Sequence, residues 1–122
     1  MTDTADLNLV LAAILPEDSL RKRALAHLEG SPRLTMPVSV GLELLMVAQR
    51  FELPHVAALG AAEGRFEVEG RDVLYSAAEA LDAGDVKTVF DAVHLADALL
   101  RGGKLHTADR ALQRTSFPTQ AF

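Results

Sequence analysis

Four acids in this sequence, Asp6, Glu43, Asp91 and Asp109, have the settings from which chemistry could be built. Asp6 stands just before an apolar run, with Asn8 two residues on. Asp91 opens a long apolar stretch, and Asp109 follows the short Lys104 to Thr107 segment. Glu43 lies among Leu42, Leu44, Leu45 and Met46, one turn after Ser39, on the narrow polar stripe of an otherwise apolar segment. Mg²⁺ takes octahedral oxygen ligands and keeps several waters, so carboxylates from four separate elements suit it better than one compact local cage. A pair of such ions about 4 Å apart would position an attacking water, lower its pKa and stabilise charge on a leaving oxygen. Taken singly, each aspartate also fits a plainer role, since Asp at a helix start caps amides or meets the helix dipole. Glu43 alone fits a solvated helix face equally well.

The composition narrows the chemistry further. The chain has 122 residues and no cysteine, so neither disulfides nor thiolate-bound zinc can contribute, and a metal site must rest on carboxylates or histidines. His27, His55, His94 and His106 show no ligand spacing, which leaves the carboxylates and hard cations. The net charge of −5 runs against contact with nucleic acid, which normally demands an excess of Lys and Arg. Four acids gathered in one site would account for most of that charge, and two divalent ions would neutralise them. An acidic N-terminus and a Leu7 to Leu15 run too short to span a bilayer point to a cytoplasmic protein without a membrane segment.

Those acids need elements to position them, and the pattern supplies helices alternating with short strands. Helices are expected at about 8 to 15, at 18 to 29 after Pro16-Glu17-Asp18-Ser19, and from Pro37, taken as the first helical position, to about Arg50. Further helices follow from Pro54 to near Gly64, from Asp72 to Ala83, and from Thr88 to Arg101, the last apolar around most of its circumference and expected to be buried. Strands are expected at Arg33 to Met36, Phe66 to Glu69, Lys104 to Thr107 and Phe117 to Phe122, with one or two helical turns over Asp109 to Arg114. Pro118 should confine the last strand to an edge. This alternation implies an α/β fold with a mostly parallel sheet covered on both faces. In such folds ligands gather beyond the carboxyl ends of the strands, where Asp6, Asp91 and Asp109 are expected.

Two stretches carry a family resemblance. FDAVHLADALLRGGKLHTADRALQR, Phe90 to Arg114, resembles the C-terminal signature of PIN domains, in which an Asp opens a buried helix and a Thr-x-Asp follows the next strand; Asp91, Thr107 and Asp109 match it. DLNLVLAAILPED, Asp6 to Asp18, resembles the family's opening Asp-x-Asn, which gives Asp6 and Asn8, and SVGLELLMVA resembles the helix that carries its glutamate, which gives Glu43. The resemblance spans nearly the whole chain in the right order. It implies a single PIN-like domain over residues 1 to 122, a three-layer α/β/α sandwich that cuts single-stranded RNA with Mg²⁺ or Mn²⁺ held by Asp6, Glu43, Asp91 and Asp109. At this size it looks most like the VapC-type toxins, dimeric ribonucleases restrained by a cognate antitoxin protein. The sequence departs from the family before Asp6, where Thr2-Asp3-Thr4-Ala5 replaces the usual run of Val, Ile or Leu, so the first strand is expected to be weak.

Arg110 and Arg114, one turn apart beside Asp109, are candidates for RNA phosphate contacts, and Arg21-Lys22-Arg23 fits a solvated helix face better. Asp97 shares the polar seam of its helix with His94 and is an accessory acid at most. A receiver domain or an aspartyl-phosphate phosphatase would want paired acids after the first strand, where Asp6-Leu7-Asn8 has one. The alternative from another class is a non-catalytic PIN-like module that binds a protein or RNA partner. The apolar excess of the third helix and of Val56 to Ala62 predicts a homodimer.

Overall fold

The computed structural model describes residues 2–122. Helices α1 (Leu7–Ile14) and α2 (Arg21–Glu29) lead into strand β1 (Thr35–Met36), and α3 (Val38–Arg50) and α4 (His55–Glu63) into β2 (Glu67–Val68). Helices α5 (Arg71–Asp82) and α6 (Val89–Leu100) precede β3 (Leu105–Thr107), and α7 (Arg110–Gln113) precedes β4 (Thr119–Ala121). The strands pair in parallel, Thr35 with Glu67 and Met36 with Val68 in one ladder, Leu105 through Thr107 with Thr119 through Ala121 in the other. The architecture is therefore α/β with helices predominant, as the alternation of patterns implies. Among the described residues the ladders form two two-stranded pieces rather than one recorded sheet.

The weakness expected of the first strand is real. Thr4 makes one isolated parallel bridge to Thr35, supported by Ala5 N–H donating to Thr35 O and Thr35 N–H donating to Asp3 O. Polar, exposed side chains at Asp3 and Thr4 bury nothing that would extend the pairing, and only Ala5 enters the core. Even so, this contact sets Asp6 at the carboxyl end of an extended segment that runs parallel to β1.

Burial decides the rest. Phe66, Met36, Leu44, Leu45, Leu74 and Leu95 are wholly enclosed, so β1, α3, α5, α6 and the entry to β2 share one core, with Val68 of β2 packed against it. At the entry to α3, Glu69 Oε1 accepts from Val38 N–H at 3.0 Å and so caps the helix from the end of β2. Gly70 beside it has φ +69°, and a Cβ there would come within 2.8 Å of Val38 Cγ2, so this junction requires glycine. Arg33 donates to the carbonyls of Glu63 and Phe66, holding the start of β1 against the α4 to β2 turn.

Three expectations need correction. Helix α2 begins at Arg21 instead of residue 18, because Asp18 Oδ1 accepts from Leu20 N–H in a local turn, and Leu20 at the N-cap has no side-chain oxygen to offer the first helical amides. Pro37 occupies the N-cap of α3, with φ −60° and ψ 157°, one position before the helix proper. Helix α6 is not buried all round. Val89, Ala92, Leu95 and Ala96 face the core, while Phe90, Leu99 and Leu100 are 51, 46 and 53 % exposed. Its apolar residues exceed what one small core can cover. Pro118 precedes β4, its carbonyl accepting from Leu105 N–H, and β4 pairs on one side only, as expected of an edge.

Candidate functional site

Asp6 is the N-cap of α1: its Oδ1 accepts from Leu9 N–H at 3.0 Å, and its side chain is exposed. Asn8, in the first turn, is exposed as well. Asp109 is built the same way at the end of β3. Its Oδ1 accepts from Ala111 N–H at 2.8 Å and Leu112 N–H at 3.4 Å, which makes it the N-cap of α7. Thr107 turns the chain for it, because Thr107 Oγ1 accepts from Asp109 N–H at 3.0 Å while Gln113 Nε2 donates to Thr107 O at 3.0 Å. The Thr-x-Asp motif is thus a closed turn tied at both ends. Its carboxylate is fixed at a strand's carboxyl end.

Asp91 lies in the first turn of α6, half-buried, and its Oδ2 accepts from Thr88 Oγ1 at 2.7 Å. Thr88 is the N-cap of that helix but caps no amide with its hydroxyl. Its hydroxyl instead holds Asp91. Sequence reasoning passed over Thr88, although Thr-x-x-Asp ahead of an apolar run is a recognised helix-start signature and could have found it. Glu43 is exposed in the second turn of α3, with no hydrogen bond or ion pair among the described residues.

The elements that bear these acids form a continuous chain of contacts. Helix α1 packs on α3, α3 on α6, α6 on β3, and β3 on α7. The side chains as placed do not complete a ligand set: among the described residues no three His, Asp or Glu side chains stand together closely enough to hold a metal ion. The three aspartates instead satisfy one oxygen each with a local donor, and ion pairs among the described residues involve other acids. A carboxylate oxygen has lone pairs beyond one hydrogen bond, so each retains coordinating capacity. The donor type therefore fits a hard cation, and a bound ion would have to draw these oxygens together in competition with their caps.

The remaining candidates separate cleanly. Arg110 and Arg114 flank α7 beside Asp109 and are exposed, without ion pairs among the described residues. Asp97 pairs with Arg101 at 2.9 Å across one helical turn, and His94 is exposed. Arg21 donates to Ala13 O at 2.8 Å and so joins α2 to α1, whereas Lys22 and Arg23 are solvated.

A second polar constellation is structural. Asp82 at the end of α5 caps α4, its Oδ1 accepting from His55 N–H and its Oδ2 from Val56 N–H, while the buried His55 ring stands 2.7 Å from Oδ1 through Nδ1. Burial pushes the Asp82 carboxyl up, but the hydrogen bonds from Val56, His55 and the His55 ring together outweigh it and hold the group below its ordinary value.

A family model described as PIN domain matches residues 6–118, an interval that contains all four acids. PIN domains are commonly Mg²⁺- or Mn²⁺-dependent nucleases. No curated protein and no solved structure matches the chain. Among the described residues, no helix is long and apolar enough to cross a membrane.

Proposed function

The chain belongs to the PIN domain family, and we propose that it is an endoribonuclease of single-stranded RNA in which Asp6, Glu43, Asp91 and Asp109 hold Mg²⁺ or Mn²⁺. The observation that carries this reading is the pair of equivalent stations at Asp6 and Asp109. Each follows an extended segment in a parallel pairing, each caps the next helix with Oδ1, and each has an exposed carboxylate. Helix N-termini placed this way attract anions, so negative side chains there are stable until a cation recruits them. The bound ions would supply an activated water and charge neutralisation at the phosphodiester. Thr88 and Thr107 hold Asp91 and Asp109 in position, and Arg110 and Arg114 offer exposed positive charge next to Asp109 for RNA phosphates.

The same reading makes the protein the toxin of a toxin–antitoxin pair, a homodimer with a cognate antitoxin protein. Surface chemistry supports an association: Phe51 and Leu53, in the turn between α3 and α4, are 63 and 39 % exposed, and Leu53 shares a hollow with Ala57 and Ala61 of α4. The test is direct. Highly purified protein should cleave single-stranded RNA in Mg²⁺ or Mn²⁺ and stop in EDTA, and Asp91→Asn should be inactive. If the wild type cuts no RNA in either metal, or Asp91→Asn cuts as well as the wild type, the non-catalytic interaction module takes the place of the nuclease.

A further inference from the structure

We infer that the hollow between the C-terminal half of α3 and the start of α6 is a stacking site for one base of the single-stranded RNA, with Phe90 as its platform. The inference rests on the nuclease reading and specifies where the substrate lies. The hollow has a volume of about 310 Å³ and lies between Met46, Gln49 and Arg50 of α3 and the Lys87 to Phe90 segment. That volume lies at the lower end of the range for small-ligand pockets and accommodates one nucleobase.

Three features of this hollow point to a nucleotide. Phe90 and Met46 are 51 and 46 % exposed, and both line the same space, so an aromatic face and a polarisable thioether are presented together where core packing does not need them. Two cations line it, Arg50 from α3 and Lys87 from the segment entering α6, in a protein whose net charge is −5. Arg50 is held over the Phe51 ring at 5.6 Å, and Gln49 Nε2 donates to Lys87 O at 2.7 Å, which fixes the loop carrying Lys87 against α3. An apolar face with flanking positive charge is complementary to a base attached to a phosphate, and stacking on an aromatic ring is open to any base.

Position gives the site its meaning. Thr88 both lines the hollow and donates to Asp91, and Phe90 is Asp91's immediate neighbour. Met46 lies one turn from Glu43 on α3. A base seated on Phe90 would therefore lie between the two helices that carry Glu43 and Asp91, with Thr88 joining the hollow to Asp91. Duplex RNA keeps its bases stacked inside the helix and cannot place one here, so the hollow selects single strands.

The chain contains no tryptophan, so Phe90→Trp places a sole indole at the platform. We expect a short single-stranded RNA oligomer in EDTA to quench that indole, and an oligomer with abasic sugars to quench it far less. Phe90→Ala should weaken binding of the same fluorescein-labelled oligomer about 5- to 100-fold, with Phe90→Trp retaining wild-type affinity. Arg50→Ala and Lys87→Ala should each reduce the salt dependence of binding by about one unit of slope. Wild-type affinity in Phe90→Ala, with the indole unmoved by RNA, overturns the stacking site and leaves the nuclease standing. An indole signal that follows protein concentration and ignores RNA overturns it in favour of a second copy of the chain. Failure of the wild type both to bind and to cut RNA removes the stacking site together with the nuclease reading.

Discussion

The hydroxyl of Thr88 donates to Asp91 Oδ2 over 2.7 Å and to no backbone amide, so the residue at the head of α6 restrains a carboxylate while contributing no cap of its own. Replacing Thr88 by Val keeps the branched shape and removes that bond alone. We expect Thr88→Val to leave thermal stability nearly unchanged and to raise the Mn²⁺ concentration needed for half-maximal RNA cleavage about 10- to 100-fold, as outer partners of metal-holding carboxylates do. Cleavage measured across a Mn²⁺ titration checks it. An unshifted titration would leave Thr88 as a simple helix-start residue.

Asp109 combines two duties that substitution can separate. Its Oδ1 caps Ala111 and Leu112, and Leu112 anchors α7 in the core at 8 % exposure. Asn keeps the capping oxygen and discards the charge, so Asp109→Asn should fold as the wild type does and lose metal-dependent cleavage. Asp109→Ala removes both and should also lower unfolding free energy by about 0.5 to 2 kcal/mol. Denaturant midpoints read beside cleavage rates separate the two. Equal activity in Asp109→Asn would reduce Asp109 to a cap.

The residues differ in how legible they were. Asp91 stood out because it opens a long apolar helix, and Asp109 because a Thr-x-Asp follows a short strand; the Thr88 that holds Asp91 was passed over. Asp6 was visible from Asp-x-Asn, although the polar Thr2-Asp3-Thr4-Ala5 segment gives the pattern no strand to follow and the structure supplies only one bridge. What the sequence hides is long-range and two-sided. Glu69 capping α3 from β2, and Asp82 capping α4 from α5, are contacts 26 to 31 residues apart that no local period encodes. Helix α6 misled for a related reason: its apolar residues cover most of the circumference, but a chain this small encloses one face, and only packing shows that Phe90, Leu99 and Leu100 remain outside.

A separate apolar surface, away from α6 in sequence, suits association. Phe51 and Leu53 lie exposed in the turn between α3 and α4, Leu53 sharing a hollow with Ala57 and Ala61, and a second copy could cover them. We expect sedimentation to show a dimer at micromolar concentration, and Leu53→Asp to shift it toward monomer. A wild-type protein that sediments only as monomer rejects the homodimer and leaves the chemistry untouched.

His55 and Asp82 give a prediction that concerns the fold alone. Asp82 receives His55 N–H, Val56 N–H and the His55 ring, and His55 is 6 % exposed, so loss of the carboxylate strands two helix-start amides and a buried imidazole nitrogen. Removing one partner of a buried polar group costs about 1 to 3 kcal/mol, so Asp82→Ala should lower stability by at least that much at neutral pH. The carboxyl titrates below its ordinary value of 3.8: burial raises it, and the three hydrogen bonds outweigh burial. A depressed folded pKa means that the unfolded chain takes up the proton first. The contribution is therefore complete above about pH 5, begins to fade as pH falls through the ordinary value, and is gone once pH passes below the folded one. Urea midpoints for wild type and Asp82→Ala should accordingly run well apart from pH 7 down to about pH 5 and draw together below about pH 4. Curves that stay parallel to the lowest pH at which the protein folds would show that the Asp82 charge contributes nothing and that the cap acts through shape alone.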